Sequence, residues 1–247
     1  GGNHLGVVND VVGVSDLEMQ QIATDLGFSE TVFIDWTDSA LDPAVRIFTP
    51  VDELPFAGHP LVGAAWLLGT LGPVPARALR TKVGVVSCSA HGDRALVDAS
   101  IEITEVRDDV VEVAALAGLA HPERTMRLAL PKSYLMARFA TFDDVEALDP
   151  DMDAFGDVFG FTAFARDGDA VKARFFAPAS GIAEDPATGS AAVALAEVFR
   201  RWGEPEGSVT ITQGDEIGYP STIELAWMAS STTIGGTVRH DDVVLVP

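Results

Sequence analysis

Arg46-Ile47-Phe48-Thr49-Pro50 returns later in the chain as Arg174-Phe175-Phe176-Ala177-Pro178, an offset of 174 − 46 = 128 in a sequence of 247 residues. Self-similarity at about half the chain length points to a duplicated structural unit. Each copy is followed by a turn-rich segment, a Gly beside a polar residue, and an apolar run rich in small residues. In the first copy these are Gly58-His59-Pro60 and Leu61 to Leu68; in the second they are Gly189-Ser190 and Ala191 to Phe199. A weaker echo keeps the offset, with Asp16-Leu17-Glu18 answered by Asp144-Val145-Glu146 (144 − 16 = 128), each near the start of an expected helix.

Around these landmarks, runs rich in Val, Ile, Thr and Phe predict strands at Thr31 to Asp35, Val45 to Phe48, Val83 to Cys88 and Val209 to Thr212. Three- and four-residue spacing of Ala, Leu and Val predicts helices at Asp16 to Leu26, Pro60 to Leu68, Asp144 to Leu148 and Ser190 to Trp202. The fold class is α+β in two halves, residues 1–115 and 116–247, with the linker expected between Val111 and Arg127. Each half is expected to wrap a curved, mostly antiparallel sheet around the helix that starts at its Gly-polar pair, because a helix apolar on most faces must be buried. The opening Gly1-Gly2-Asn3-His4 has no initiator Met, and a first strand is expected to be missing ahead of it.

The chain carries 37 acidic and 16 basic residues, a net charge of −21, so its overall field repels a phosphate backbone or an anionic bilayer. Nucleic acid and membrane surfaces are therefore not expected partners. The longest apolar run, Leu61 to Val74, is interrupted by glycines and a proline and falls short of the roughly 20 residues of a membrane span. A single cysteine, Cys88, cannot form an internal disulfide and suits a reducing cytoplasm.

Glu184-Asp185-Pro186-Ala187-Thr188-Gly189-Ser190-Ala191 places two carboxylates, a stiffening Pro and a Gly-Ser pair directly before an apolar helix. The first N–H groups of a helix lack internal partners and lie at its positive end, so Gly189 and Ser190 can present donors to a carboxylate. Thr188 or Ser190 acting only as a helix cap explains the same residues. In the first half Gly58 and His59 open the matching helix, and Pro60 suits its first position, where a missing N–H is harmless. His59 there can serve as an acid-base group or as a donor to a developing oxyanion; a structural hydrogen-bonding role is the alternative. Glu30, between a helix ending near Gly27 and a strand, reads alone as a solvated or capping glutamate. If it is partly buried, its pKa rises toward the range where a carboxyl can both take and return a proton. The nucleotide loops G-x-G-x-x-G and G-x-x-x-x-G-K-[ST], the G-x-S-x-G elbow, and the H-E-x-x-H and C-x-x-C metal spacings are all missing from the sequence.

Taken in order, Gly2-Asn3, Leu5 to Val8, Met19 to Ala23, Phe28-Ser29-Glu30-Thr31-Val32-Phe33, Arg46 to Pro50, Gly58-His59-Pro60, Glu184 to Ala191 and Gln213-Gly214 resemble the PhzF-like proteins. These are named for a phenazine-biosynthesis isomerase and share the diaminopimelate epimerase fold. The resemblance runs nearly end to end. It implies two pseudo-symmetric halves with a cleft between them, Glu30 as general base and then acid, and His59, Asp185 and Ser190 lining that cleft. It also implies no metal, flavin or pyridoxal cofactor, and frequently a homodimer; the partner expected is a small anionic metabolite. Related epimerases carry two cysteines at the places held here by Glu30 and Ser190, which disfavours a two-cysteine racemase. Two departures stand out: Gly2-Asn3-His4 where the family commonly has Gly-Asn-Pro, and Gly218-Tyr219-Pro220-Ser221 where it often has Gly-Arg-Pro-Ser.

The leading expectation is a cofactor-independent isomerase moving a proton on a small carboxylate, with Glu30, His59 and Asp185 as catalytic candidates and Gly58, Gly189 and Ser190 as substrate binders. An amino-acid racemase or epimerase is the second reading. A non-catalytic metabolite-binding protein of the same fold is the third.

Overall fold

A computed structural model describes residues 2–9, 11–72, 74–99, 103–107, 121–130, 132–155, 159–178, 182–241 and 243. The chain divides into two compact units. One contains His4–Ala99 and Ile234–Pro247; the other contains Gly1–Asn3 and Ser100–Thr233. The residue 115/116 boundary expected from sequence, and most of the expected linker, lie outside the described residues.

In the N-terminal unit the order is β1 (Leu5–Val8), α1 (Asp16–Leu26), β2 (Glu30–Asp35), β3 (Ala44–Phe48), β4 (Glu53–Leu54), α2 (Gly58–Leu71), β5 (Ala78–Thr81), β6 (Gly84–His91) and β7 (Arg94–Asp98). β1 and β2 are parallel across α1; β2–β3, β3–β4, β5–β6 and β6–β7 are antiparallel, and β3 and β5 are parallel. Helix α1 needs little tertiary help to start and stop. Ser15 and Glu18 form a reciprocal capping box, and Gly27 takes the left-handed conformation that ends the helix (φ 65°). Its Met19 and Ala23 pack with Phe33 and Phe48. Helix α2 packs against β2, β6 and β7. β2 is thus covered on both faces, which is why Thr31-Val32-Phe33-Ile34 is buried without alternation.

The C-terminal unit runs β8 (Glu105–Arg107), β9 (Arg124–Leu130), β10 (Lys132–Arg138), α3 (Phe142–Glu146), a 3-10 turn (Met152–Phe155), β11 (Gly160–Asp167), β12 (Ala170–Ala177), β13 (Ile182–Asp185), α4 (Gly189–Arg201), β14 (Gly207–Gln213) and β15 (Ser221–Trp227). A last strand, β16 (Thr232–Thr237), begins here and continues past the unit boundary. β10 and β11 are parallel across α3, β11–β12 and β12–β13 are antiparallel, β12 and β14 are parallel, and β14–β15 is antiparallel. This is the pairing scheme of β1 to β6 over again, so the sequence repeat is a repeat of topology. The architecture is α+β, mainly antiparallel, with helix α4 packed against β9, β10 and β15.

The repeated arginines do the same local job in each unit. Arg46 on β3 forms a two-pronged pair with Glu53 on β4 and bonds Asp16 at the start of α1. Arg174 on β12 forms a two-pronged pair with Glu184 on β13, and its Nη1 donates to the carbonyls of Val145, Glu146 and Leu148 at the end of α3. Two details differ from the sequence expectation. The capping box of α3 is Thr141 with Asp144, matching Ser15 with Glu18 at 141 − 15 = 126, so the echo at 128 pairs helix positions that are not equivalent. Pro60 is the third residue of α2, behind Gly58 and His59, although its missing N–H still falls among those without an internal acceptor.

Candidate functional site

Helices α1 and α3 have complete capping boxes and acidic residues in their first turns. Helices α2 and α4 have neither. Ala57 precedes α2 and has no group with which to cap it. Thr188 precedes α4, but its hydroxyl donates to the Asp185 carboxylate at 2.5 Å and makes no bond to the helix. The capping-only reading of Thr188 therefore fails. Both helix starts named from sequence keep their positive ends unneutralised by a capping side chain or by an acid of their own first turn. His59 and Ser190 each occupy the second helical position.

Within the N-terminal unit, Glu30 is brought to His59. Gly27 turns the chain out of α1, Phe28 and Ser29 bridge to the sheet, and Glu30 is the first residue of β2. Its Oε2 lies 3.4 Å from His59 Nδ1, and each side chain retains only 16–17% of its exposure. That oxygen is itself buried and makes no hydrogen bond among the described residues. Burial pushes the Glu30 carboxyl up from its ordinary 4.5 to about 7; a hydrogen bond from the Ser29 side chain opposes this with a smaller effect. A carboxyl poised near neutrality, with a slender opening to solvent and an imidazole beside it, is equipped to accept and return a proton.

Within the C-terminal unit, Asp185, Gly189 and Ser190 gather at the start of α4. Asp185 ends β13 and is buried. Its Oδ1 accepts from Asn3 Nδ2 at 3.0 Å and its Oδ2 from Thr188. Gln213 Nε2 closes the arrangement by donating to the Asp185 carbonyl oxygen (2.7 Å) and to Thr188 Oγ1 (3.0 Å). Gly214 has φ +85° and sits so close to Pro186 that a Cβ would come within 2.8 Å of the Pro186 carbonyl oxygen, which accounts for a glycine beside Gln213. Ser190 Oγ accepts a hydrogen bond from Tyr134 at 2.9 Å.

Neither Asn3 nor Tyr134 is among the site candidates read from the sequence. Asn3 is 182 residues from Asp185, and no local spacing relates them. Tyr134 did leave a trace, being one of only two tyrosines and a polar-tipped ring directly before the apolar run Leu135-Met136-Ala137. The two departures from the family pattern make local contacts. His4 stacks on Phe28 at 6.0 Å, and Tyr219 is half exposed while its N–H donates to Gly214 O at 2.9 Å. Among the described residues, no helix is long and apolar enough to cross a membrane.

A family model described as phenazine biosynthesis-like protein (PhzC-PhzF) matches residues 1–238. The trans-2,3-dihydro-3-hydroxyanthranilate isomerase of Pseudomonas chlororaphis is 34% identical over 233 residues, covering 89% of this chain and 83% of its own. A predicted epimerase of Pseudomonas aeruginosa has a similar structure, with TM-score 0.71, 25% identity, and coverage of 96% of this chain and 90% of that one. A PhzF-family protein of Bacillus anthracis superposes with TM-score 0.78 at 21% identity, covering 99% and 94% of the two chains.

Proposed function

The chain belongs to the phenazine biosynthesis-like (PhzC-PhzF) family and is an isomerase, and we propose that it works by proton transfer on a small carboxylate-bearing metabolite, with Glu30 as the base and then the acid. The observation that carries this reading is the Glu30 carboxyl: buried, raised to about 7, and 3.4 Å from His59 at the start of uncapped α2. Near pH 7 a large fraction of such a group is ionised and able to take a proton from carbon. Its protonated form is then stable enough to deliver that proton to a second carbon without a cofactor. His59 stabilises the anion formed between the two steps, together with the N–H groups at Gly58. Gly189 and Ser190 form the proposed anchor for the substrate carboxylate. Asp185, with both oxygens engaged by Asn3 and Thr188, is assigned to holding that anchor open rather than to the proton transfer.

The test is exchange with heavy water. The first probe is trans-2,3-dihydro-3-hydroxyanthranilate, the compound in the name of the P. chlororaphis relative and itself a carboxylate. Small carboxylates that raise the melting temperature follow. Wild-type protein is expected to wash deuterium into substrate or product. Glu30→Gln is expected to bind the same probe and lose exchange by about 100- to 10,000-fold, the usual effect of removing a general base. Undiminished exchange in that variant would sink the assignment.

A further inference from the structure

Ser190 has a short, unbranched side chain with three staggered rotamers open to it, so a serine meant to anchor a ligand needs something to fix its hydroxyl. We propose that Tyr134 is that positioning residue. The inference rests on Ser190 being a substrate anchor and identifies what orients it.

The Tyr134 ring is itself immobilised. It is 4% exposed on β10, meets Phe159 edge-on at 5.4 Å, and lies tilted against Phe175 at 6.0 Å. Its partner across the parallel ladder is Gly160. A Cβ there would reach 3.4 Å from Tyr134 Cδ1 and strike the Phe175 ring, so the glycine makes room for both rings. From this fixed ring the phenol hydroxyl reaches Ser190 Oγ at 2.9 Å as the donor. A serine oxygen that accepts from Tyr134 keeps its own hydrogen for another acceptor, and hydrogen bonds chained in this way strengthen one another. The substrate carboxylate is the acceptor that the serine hydrogen serves. A merely structural reading runs the other way, with Ser190 present only to satisfy a buried phenol. The two readings differ in what each variant does.

Four proteins decide between them: wild type, Tyr134→Phe, Ser190→Ala and the double variant. High-resolution crystal structures are expected to show one Ser190 rotamer in wild type and several in Tyr134→Phe. With trans-2,3-dihydro-3-hydroxyanthranilate as substrate, Tyr134→Phe is expected to raise KM roughly three- to tenfold, the net worth of one hydrogen bond, with kcat within about twofold. Ser190→Ala is expected to raise KM at least as much, and adding Tyr134→Phe to it should change KM no further. A Tyr134→Phe effect of equal size in both backgrounds, or an unchanged single rotamer, overturns the proposal. An unchanged KM in Ser190→Ala removes the anchor reading instead, and the positioning role with it.

Discussion

Glu30→Gln is expected to stabilise the fold at alkaline pH and to leave it nearly unchanged near pH 4. In the unfolded chain this carboxyl ionises around its ordinary value of 4.5; in the folded chain it does so at about 7, because burial penalises the charged form. Between those values the folded state retains a proton that the unfolded state has released. Wild-type stability therefore falls as pH rises through this window and levels off above 7. At 1.36 kcal/mol per pH unit, the interval amounts to about 3 kcal/mol. That figure is a ceiling, since 16% of the side chain still meets water. Glutamine fills the same space and has no charge to desolvate, so the advantage of the variant should grow from about pH 5 to pH 7 and then hold. Urea denaturation of both proteins at pH 5, 6, 7 and 8, followed by circular dichroism and Trp fluorescence, measures the difference; titrations shared by both proteins cancel in it. A difference that is flat across this range would show that Glu30 is not held out of its charged form. Such a penalty is the kind of local strain a functional carboxyl carries, with the rest of the fold offsetting it.

The duplicated arginines should differ in weight. Arg174→Ala breaks a pair in which both side chains are under 10% exposed and is expected to lose about 3–5 kcal/mol, whereas Arg46→Ala, at 30% exposed, should lose about 1 kcal/mol; equal losses in urea denaturation would contradict this. Thr162 is 1% exposed and its hydroxyl has no partner among the described residues, so Thr162→Val should be neutral or gain up to about 1 kcal/mol. A loss of 1 kcal/mol or more would show that the hydroxyl is satisfied. Burial pushes the Cys88 thiol up to about 11, so iodoacetamide at pH 8 should modify it roughly a hundredfold more slowly than an ordinary cysteine. Cys88→Ser should leave turnover unchanged, and a loss of turnover without unfolding would place this residue in the site.

What the sequence by itself determined was governed by neighbours in the chain. The apolar periodicity of Asp16 to Leu26 and of Ser190 to Trp202 located α1 and α4 to within a residue, because a helix bonds itself over four positions. The repeated Arg-aromatic-Pro segments disclosed a duplicated topology, since the same local pattern favours the same strand, turn and helix each time. The helix echo slipped by two residues because helix starts follow their caps, not a fixed spacing. Only the tertiary structure decided the surroundings of the candidate groups. Glu30 reads as an ordinary glutamate until β2 is covered on both faces and α2 brings His59 against it, and its rise to about 7 comes from that burial. Thr188 has the composition of a helix cap, yet its hydroxyl turns to Asp185, which in turn is held by Asn3 from 182 residues away. Tyr134 meets Ser190 across 56 residues. Desolvation and long-range hydrogen bonds depend on which surfaces pack together, and packing is a property of the folded chain that no local spacing encodes.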